Sequence, residues 1–250
     1  MRANHGQLRI QAVSHNEDFN SLPINKFDVV INMASHPRYM RETYDESLDF
    51  DLRLARHVRT AACQYVMMST RRVYGRSAPF PVDELTAPSP DDNYGLNKLT
   101  TERALQAILG DRCSILRVAN VFDFEPGRHT FFGIALATLR RENRILLDVS
   151  PFVRRDFLHT EDFAQILVQV LDKSFGGILN LGSGRATELG RIALWLLEGY
   201  GQGQLVVSNP EERDNFELDI TRLEALIGQI TVSNNIRTRC IEIGGKLKNE

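Results

Sequence analysis

Two apolar runs of strand length stand out in the first third of the chain, F-D-V-V-I-N-M-A at 27–34 and Y-V-M-M-S at 65–69. Short continuous runs rich in Val, Ile and Met predict buried strands. Between them, Leu48, Leu52, Ala55, Val58 and Ala62 recur at helical spacing and predict a helix over 46–62. A Pro-rich loop at 79–90 precedes a second helical pattern over 94–109, and C-S-I-L-R-V-A at 113–119 reads as a third strand. Strand, helix, strand, helix, strand at this spacing predicts an α/β fold with a parallel sheet and flanking helices. Ligands of such sheets bind at the carboxyl ends of the strands. Ala34, Ser69 with Thr70, and Asn120 all occupy such ends.

The second half is less regular. Helices are predicted over 130–141, 160–172, 187–198 and 219–227, the second and third opened by Thr caps. G-G-I-L-N-L-G-S-G at 176–184 predicts a strand ending in a Gly-rich turn, and L-V-V-S at 205–208 a short strand. The tail from about 229 to 250 has no clear pattern, and its last residues are expected to be mobile.

Composition adds bounds rather than detail. With 250 residues, 42% hydrophobic and 25% charged, the chain is an ordinary globular protein able to bury a sizeable core. A net charge of −2 gives no reason to expect a nucleic acid or a membrane surface as partner. Three widely separated cysteines, the absence of a signal-peptide pattern and the absence of a long apolar run point to a soluble cytoplasmic protein. The six histidines show no metal-binding spacing, so no metal site is expected.

The candidate chemistry lies in 69–105. Tyr94 and Lys98 are one helical turn apart and share a helix face. An ammonium beside a phenol stabilises the phenolate and lowers the tyrosine pKa from its reference of about 10. Such a tyrosine can exchange protons with a carbonyl or alcohol near neutral pH. Thr70, at the end of a buried strand, can hold the reacting oxygen. Taken alone, Y-x-x-x-K is more often a solvated surface pair; the strand ending in Ser-Thr upstream is what raises its weight.

S-T-R-R-V-Y-G, then P-V-D-E, then P-S-P-D-D-N-Y-G-L-N-K resembles the extended short-chain dehydrogenase/reductase family, and within it the NAD-dependent epimerases and dehydratases of nucleotide sugars. D-V-V-I-N-M-A, L-R-V-A-N-V-F, R-R-D-F-L-H-T-E-D-F-A and N-L-G-S-G resemble further family motifs in the same order, over roughly 27–228. The resemblance implies a Rossmann-like core over 1–125, with parts of 155–185 packing on it, and a small α/β substrate region over 126–250. It implies Thr70, Tyr94 and Lys98 as the catalytic trio. It places Ala34, Ser69 and Val118 with Tyr94 and Lys98 at an NAD or NADP cofactor, and Asn120 and Arg155 at a nucleotide-sugar diphosphate. A guanidinium suits that phosphate role; the alternatives are a salt bridge for Arg155, such as one to Asp156, and a turn role for Asn120. The family often forms homodimers through the Tyr/Lys helix, and Ala104, Leu105, Ala107 and Ile108 supply either that interface or the monomer core.

The departures shape the expected function. The family opens with a strand and a G-x-x-G-x-x-G turn that seats the cofactor pyrophosphate on a helix N-terminus. Only Gly6 precedes F-D-V-V here. L-R-I-Q-A-V at 8–13 would be the second or third strand of the family, with 16–22 leading onward. The core is therefore expected to be N-terminally incomplete, with poor NAD(P) binding and an exposed sheet edge. Either the chain starts at an internal methionine of a longer product, which is favoured, or the dinucleotide site has been lost. Arg71 and Arg72 stand where the dehydratases carry an Asp-Glu pair, and arginine does not deprotonate in proteins. Dehydration is disfavoured, and a 4-epimerase or 4-keto reductase remains. The two arginines either reach the substrate or are solvated. Asp51 stands where Asn is usual, and Phe122-Asp123 where Tyr and Gly are usual. The rival is a non-catalytic protein that binds a sugar nucleotide or a protein partner.

Overall fold

A computed structural model describes residues 9–14, 22–211, 214–230 and 235–250. Its first sheet holds β1 (Val29–Asn32), β2 (Gln64–Thr70), β3 (Cys113–Val118) and β7 (Gly177–Leu181) in that order, all parallel. Strand alternation divides β2 and β3 between two cores. Tyr65, Met67, Cys113 and Ile115 meet α1 (Phe50–Val58) and α2 (Asn93–Leu109) on one face. Val66 and Leu116 meet α4 (Thr160–Leu171) and α6 (Thr221–Ile227) on the other. Apolar side chains thus cover the sheet on both faces, the reason its strands read as continuous hydrophobic runs. The predicted α/β class, a parallel sheet flanked by helices, is the class observed.

Local differences from the sequence reading have local causes. The predicted 46–62 helix is a 3-10 turn at Glu46–Leu48 followed by α1, because Asp49 leaves the helical backbone region and its carboxylate accepts the Leu52 N–H at 2.9 Å. Residues 9–13, expected as a strand, have no regular secondary structure; Leu8, Gly6 and the stretch 16–21 lie outside the described residues. Among the described residues β1 pairs only with β2, and its Val29, Val30 and Ile31 are half-buried. The cap of α4 is His159, whose Nδ1 accepts the Glu161 N–H, rather than Thr160. No side chain caps α5 (Leu189–Tyr200), where Thr187 was expected to.

The C-terminal half forms its own apolar cluster around α3 (Phe131–Glu142), α5 and short strands. β4 (Asn120–Phe122), β6 (Arg154–His159) and β8 (Ala186–Glu188) make one small sheet, and β5 (Arg144–Leu147) pairs with β9 (Gln204–Val207). The tail read as patternless holds α7 (Ile236–Lys248), packed along α5. Its buried positions are Cys240, Ile243, Gly244 and Leu247, spaced i, i+3, i+4, i+7. Two of them are small, which hid the stripe. Glycines are needed there because the helices touch through their backbones. A Cβ on Gly244 would lie 2.2 Å from the Leu196 carbonyl oxygen, and one on Gly199 would lie 2.0 Å from that of Ile241.

A side chain at this contact must push α7 off the core. Gly244→Leu is expected to lower unfolding stability by about 3 kcal/mol or more, at the upper end of overpacking costs. Gly245→Leu, with only one backbone atom 3.7 Å from its Cβ position, is expected to cost far less. Urea titration of the two variants compares them, and equal losses would show that backbone contact does not govern the docking.

Candidate active site

The carboxyl end of β2 carries two hydroxyls that alternation sends to opposite faces. Ser69 points to α2, where its hydroxyl donates to the Glu102 carboxylate in a close contact. Thr70 is buried beside Val118 of β3, and its Oγ1 accepts the Arg72 N–H at 3.3 Å, opening a 3-10 turn over Arg71–Tyr74.

The start of α2 is fastened to that turn. Asp92 caps the helix by accepting the Gly95 N–H at 2.8 Å, and its carboxylate also meets Arg72 at 3.3 Å. Gly95 itself leaves no room: a Cβ there would sit 2.6 Å from the Arg72 carbonyl oxygen. The missing side chain lets the helix lie against the segment that follows Thr70. Tyr94 is half-buried, and Lys98 one turn later is buried.

Lys98 Nζ lies 3.2 Å from Asp51 Oδ2, and both side chains are 5% exposed. Its ammonium also sits 5.7 Å from the centre of the Tyr39 ring. Burial opposes the charge, yet Asp51 and the Tyr94 phenol outweigh it and hold the Lys98 pKa above the ordinary lysine value. Lys98 is therefore a cation at neutral pH, and its field reaches Tyr94. Four residues further along α2, Glu102 holds Arg117 of β3 at 2.7 Å in a pair only 2% exposed on each side. Tyr94, Lys98 and Glu102 form one stripe of the helix.

The other predicted positions lie around this joint. Ala34 is two residues past β1, with its N–H donated to Asn32 Oδ1 at 2.9 Å and its carbonyl accepting from Asn32 Nδ2 at 3.0 Å. Val118 ends β3, and Asn120 opens β4 opposite Phe157. Arg155 is paired, but with Asp214 at 2.8 Å rather than with its neighbour Asp156. Asp156 is buried instead under the Gly-rich turn, accepting N–H groups of Ser183 at 2.9 Å and Gly184 at 3.2 Å. Burial raises its pKa to about 6 in spite of those bonds.

Arg71 shares the same carboxylate, 3.3 Å from Asp214 Oδ2, and its guanidinium lies 3.9 Å above the Phe216 ring. The solvated alternative for Arg71 is thus excluded, while Arg72 is exposed and tied to Asp92. Burial opposes the Asp214 charge, but the two guanidiniums hold its pKa below the usual aspartate range. The Asp148 charge also acts on Arg155. Leu105 belongs to the monomer core, with Ala104 and Ile108 packed against it. A separate cleft of about 640 Å³ opens between β6, β8, α5 and α7, and none of the predicted site residues lines it. Its guanidiniums are partly neutralised, Arg191 by Glu188 and Arg239 by Glu161.

The model of the family described as "NAD dependent epimerase/dehydratase family" matches residues 12–182. The chain belongs to the NAD-dependent epimerase/dehydratase family. A UDP-glucose 4-epimerase of Azospirillum brasilense is 28% identical over 168 residues, which are 58% of this chain and 48% of that protein. This family member thus spans about half the length of the curated relative it matches. Among solved structures, RMD from Pseudomonas aeruginosa complexed with NADPH aligns with a TM-score of 0.78 at 20% identity, covering 99% of this chain and 92% of that one. A UDP-glucuronic acid 4-epimerase from Bacillus cereus, in complex with UDP-glucuronic acid and NAD, aligns with a TM-score of 0.75 at 20% identity, over 93% of this chain and 80% of that one. These likenesses establish the shared fold. Among the described residues of this family member, no helix is long and apolar enough to cross a membrane.

Three residues of the site escaped the sequence reading as partners: Asp51, Glu102 and Asp214. Glu102 alone had a local signal, as the next residue of the Tyr94–Lys98 stripe. Removing its charge would leave Arg117 buried without a counter-ion. Glu102→Gln is expected to cost about 3–5 kcal/mol of stability, whereas the double variant Glu102→Leu with Arg117→Met recovers most of it. Denaturant unfolding of the three proteins checks both statements, and a mild single variant would remove this pair as the anchor of α2.

Proposed function

We propose that the chain carries the proton-transfer and substrate-binding residues of an NAD(P)-dependent nucleotide-sugar epimerase or 4-keto reductase. The observation that carries this reading is a buried, charged Lys98 acting on Tyr94 at the helix start that is fastened beside Thr70. Thr70 Oγ1 would donate to the reacting oxygen of the sugar. Tyr94 would give that oxygen a proton during reduction and take it during oxidation. Lys98 would hold the phenolate and the ribose hydroxyls of the cofactor. NAD or NADP, when bound, supplies or accepts the hydride. In an epimerase the ketone would be released, turned and reduced on its other face.

Ala34, Val118, Thr70, Tyr94 and Lys98 suit the nicotinamide nucleoside, since they gather at the carboxyl ends of β1 to β3 and the start of α2. Ser69 would contribute through its backbone, its hydroxyl being taken by Glu102. The 250 residues contain no G-x-x-G-x-x-G turn for the pyrophosphate. Arg155 and Asn120 would face the nucleotide diphosphate, where Arg155 brings a guanidinium. Arg71 and Arg72 occupy the positions at which dehydration in this family uses two acids, which supports epimerisation or ketone reduction. The curated 4-epimerase of Azospirillum brasilense supports the same class.

The rival reading is a protein that binds a sugar nucleotide without turning it over. Proton NMR of UDP-glucose, UDP-galactose and UDP-glucuronic acid with millimolar NAD⁺, and of a nucleoside-diphosphate 4-keto sugar with NADH, separates the two. Interconversion of 4-epimers, or hydride transfer from NADH to a 4-keto sugar, is expected, with Tyr94→Phe at least ~100-fold slower. Binding of the nucleotide sugars with no turnover by wild type would instead establish the second reading.

A further inference from the structure

The residue that departs from the family pattern inside α1, Asp51, is the direct partner of Lys98. The Lys98 ammonium therefore has the Asp51 carboxylate of α1 3.2 Å away and Tyr94 one turn back on its own helix. The surroundings favour the carboxylate. Asp51 Oδ1 accepts the Tyr65 hydroxyl of β2 at 2.8 Å, and burial together with Asp51 pushes the Tyr65 pKa up, so that phenol remains a donor. Asp49, the cap of α1, adds a second buried negative charge near Lys98 and is held by the Tyr44 hydroxyl at 2.9 Å and by Thr101. The Tyr39 ring covers the ammonium from the loop after β1, and Cys113 of β3 feels the Asp51 charge as a thiol whose pKa burial raises to about 12. Of these groups, Lys98 alone is a cation. An ammonium shared with a buried carboxylate stabilises a phenolate less than an ammonium facing an amide would.

We propose that Asp51 is a positioning residue that competes with the Tyr94 phenolate for the Lys98 ammonium, and so sets the proton affinity of Tyr94. The inference rests on the reading of Tyr94 as the acid/base. It states why an aspartate at this position matters. The carboxylate keeps Lys98 in place one turn from Tyr94, and it makes the phenol a weaker acid, biased towards its protonated form. That bias suits protonation of a ketone oxygen more than removal of an alcohol proton.

Ultraviolet titration of tyrosinate tests this without turnover. The difference between wild type and Tyr94→Phe isolates the Tyr94 transition. The same difference in an Asp51→Asn background is expected to move it to lower pH by about one unit or more, since the amide keeps the shape and removes the charge. An unmoved Tyr94 transition in folded Asp51→Asn overturns the inference. Lys98→Met separates the two levels. If Lys98→Met leaves the Tyr94 transition in place, the Tyr–Lys reading itself fails. If Lys98→Met raises it and Asp51→Asn does not lower it, only the role of Asp51 fails. Should Asp51→Asn not fold, Tyr65→Phe decides. It strips a hydrogen bond from Asp51, strengthens its claim on Lys98, and is expected to move the Tyr94 transition upward; no movement overturns the inference.

Discussion

The rotation of α2 about its own axis is set by a buried ion pair. Glu102 is locked between Arg117 of β3 and Ser69 of β2, both inside the protein and both on the sheet. Because Tyr94, Lys98 and Glu102 share a stripe, fixing one residue of the stripe fixes the direction of the others. Asn97 adds a second hold, donating to the carbonyls of Tyr39 at 2.7 Å and Glu42 at 2.9 Å. Charges buried this deeply contribute little net stability, since desolvation offsets much of their attraction. What they supply here is orientation. A helix held only by apolar contacts could settle at neighbouring rotations, whereas turning this one would pull Glu102 from Arg117 and Lys98 from Asp51.

The site is built on a balance of opposed charges at two places. Under α2, the buried carboxylates of Asp49, Asp51 and Glu102 outnumber the buried cations Lys98 and Arg117. The surplus is tolerated because phenol and alcohol hydroxyls from Tyr44, Tyr65, Thr101 and Ser69 donate into it. At the start of the Arg71–Tyr74 turn, Arg71 and Arg155 share the carboxylate of Asp214. The segment after Thr70 thus lies between a carboxylate-rich interior and the Arg71–Asp214–Arg155 cluster.

How much of this was legible depends on how local each determinant is. β1, β2 and β3 announced themselves because strands buried on both faces leave contiguous apolar runs, and α2 through its helical pattern over 94–109. Thr70, Tyr94 and Lys98 were legible as a motif within thirty residues. Asp214 was not, because 143 residues separate it from Arg71 and nothing near it in the chain marks it as a counter-ion. Asp51 was visible only as an oddity, since its meaning lies in a contact with Lys98 across 47 positions. The short strands β4, β5 and β8 are three or four residues long, below the length at which alternation can be recognised, whereas β9 was read from its L-V-V-S run. α7 was missed for a different reason: its buried face includes a glycine and a cysteine, and a hydrophobic pattern gives no weight to an absent side chain.

The backbone contact between α5 and α7 also has a practical side. Trp195, the sole tryptophan of the protein, belongs to α5 and packs with Ile236 at the margin of the cluster that Cys240, Ile243 and Leu247 enter. Its emission is therefore a built-in reporter of whether the last helix is seated. A shift to longer wavelength on opening would let the docking of thirteen C-terminal residues be followed in an otherwise unlabelled chain.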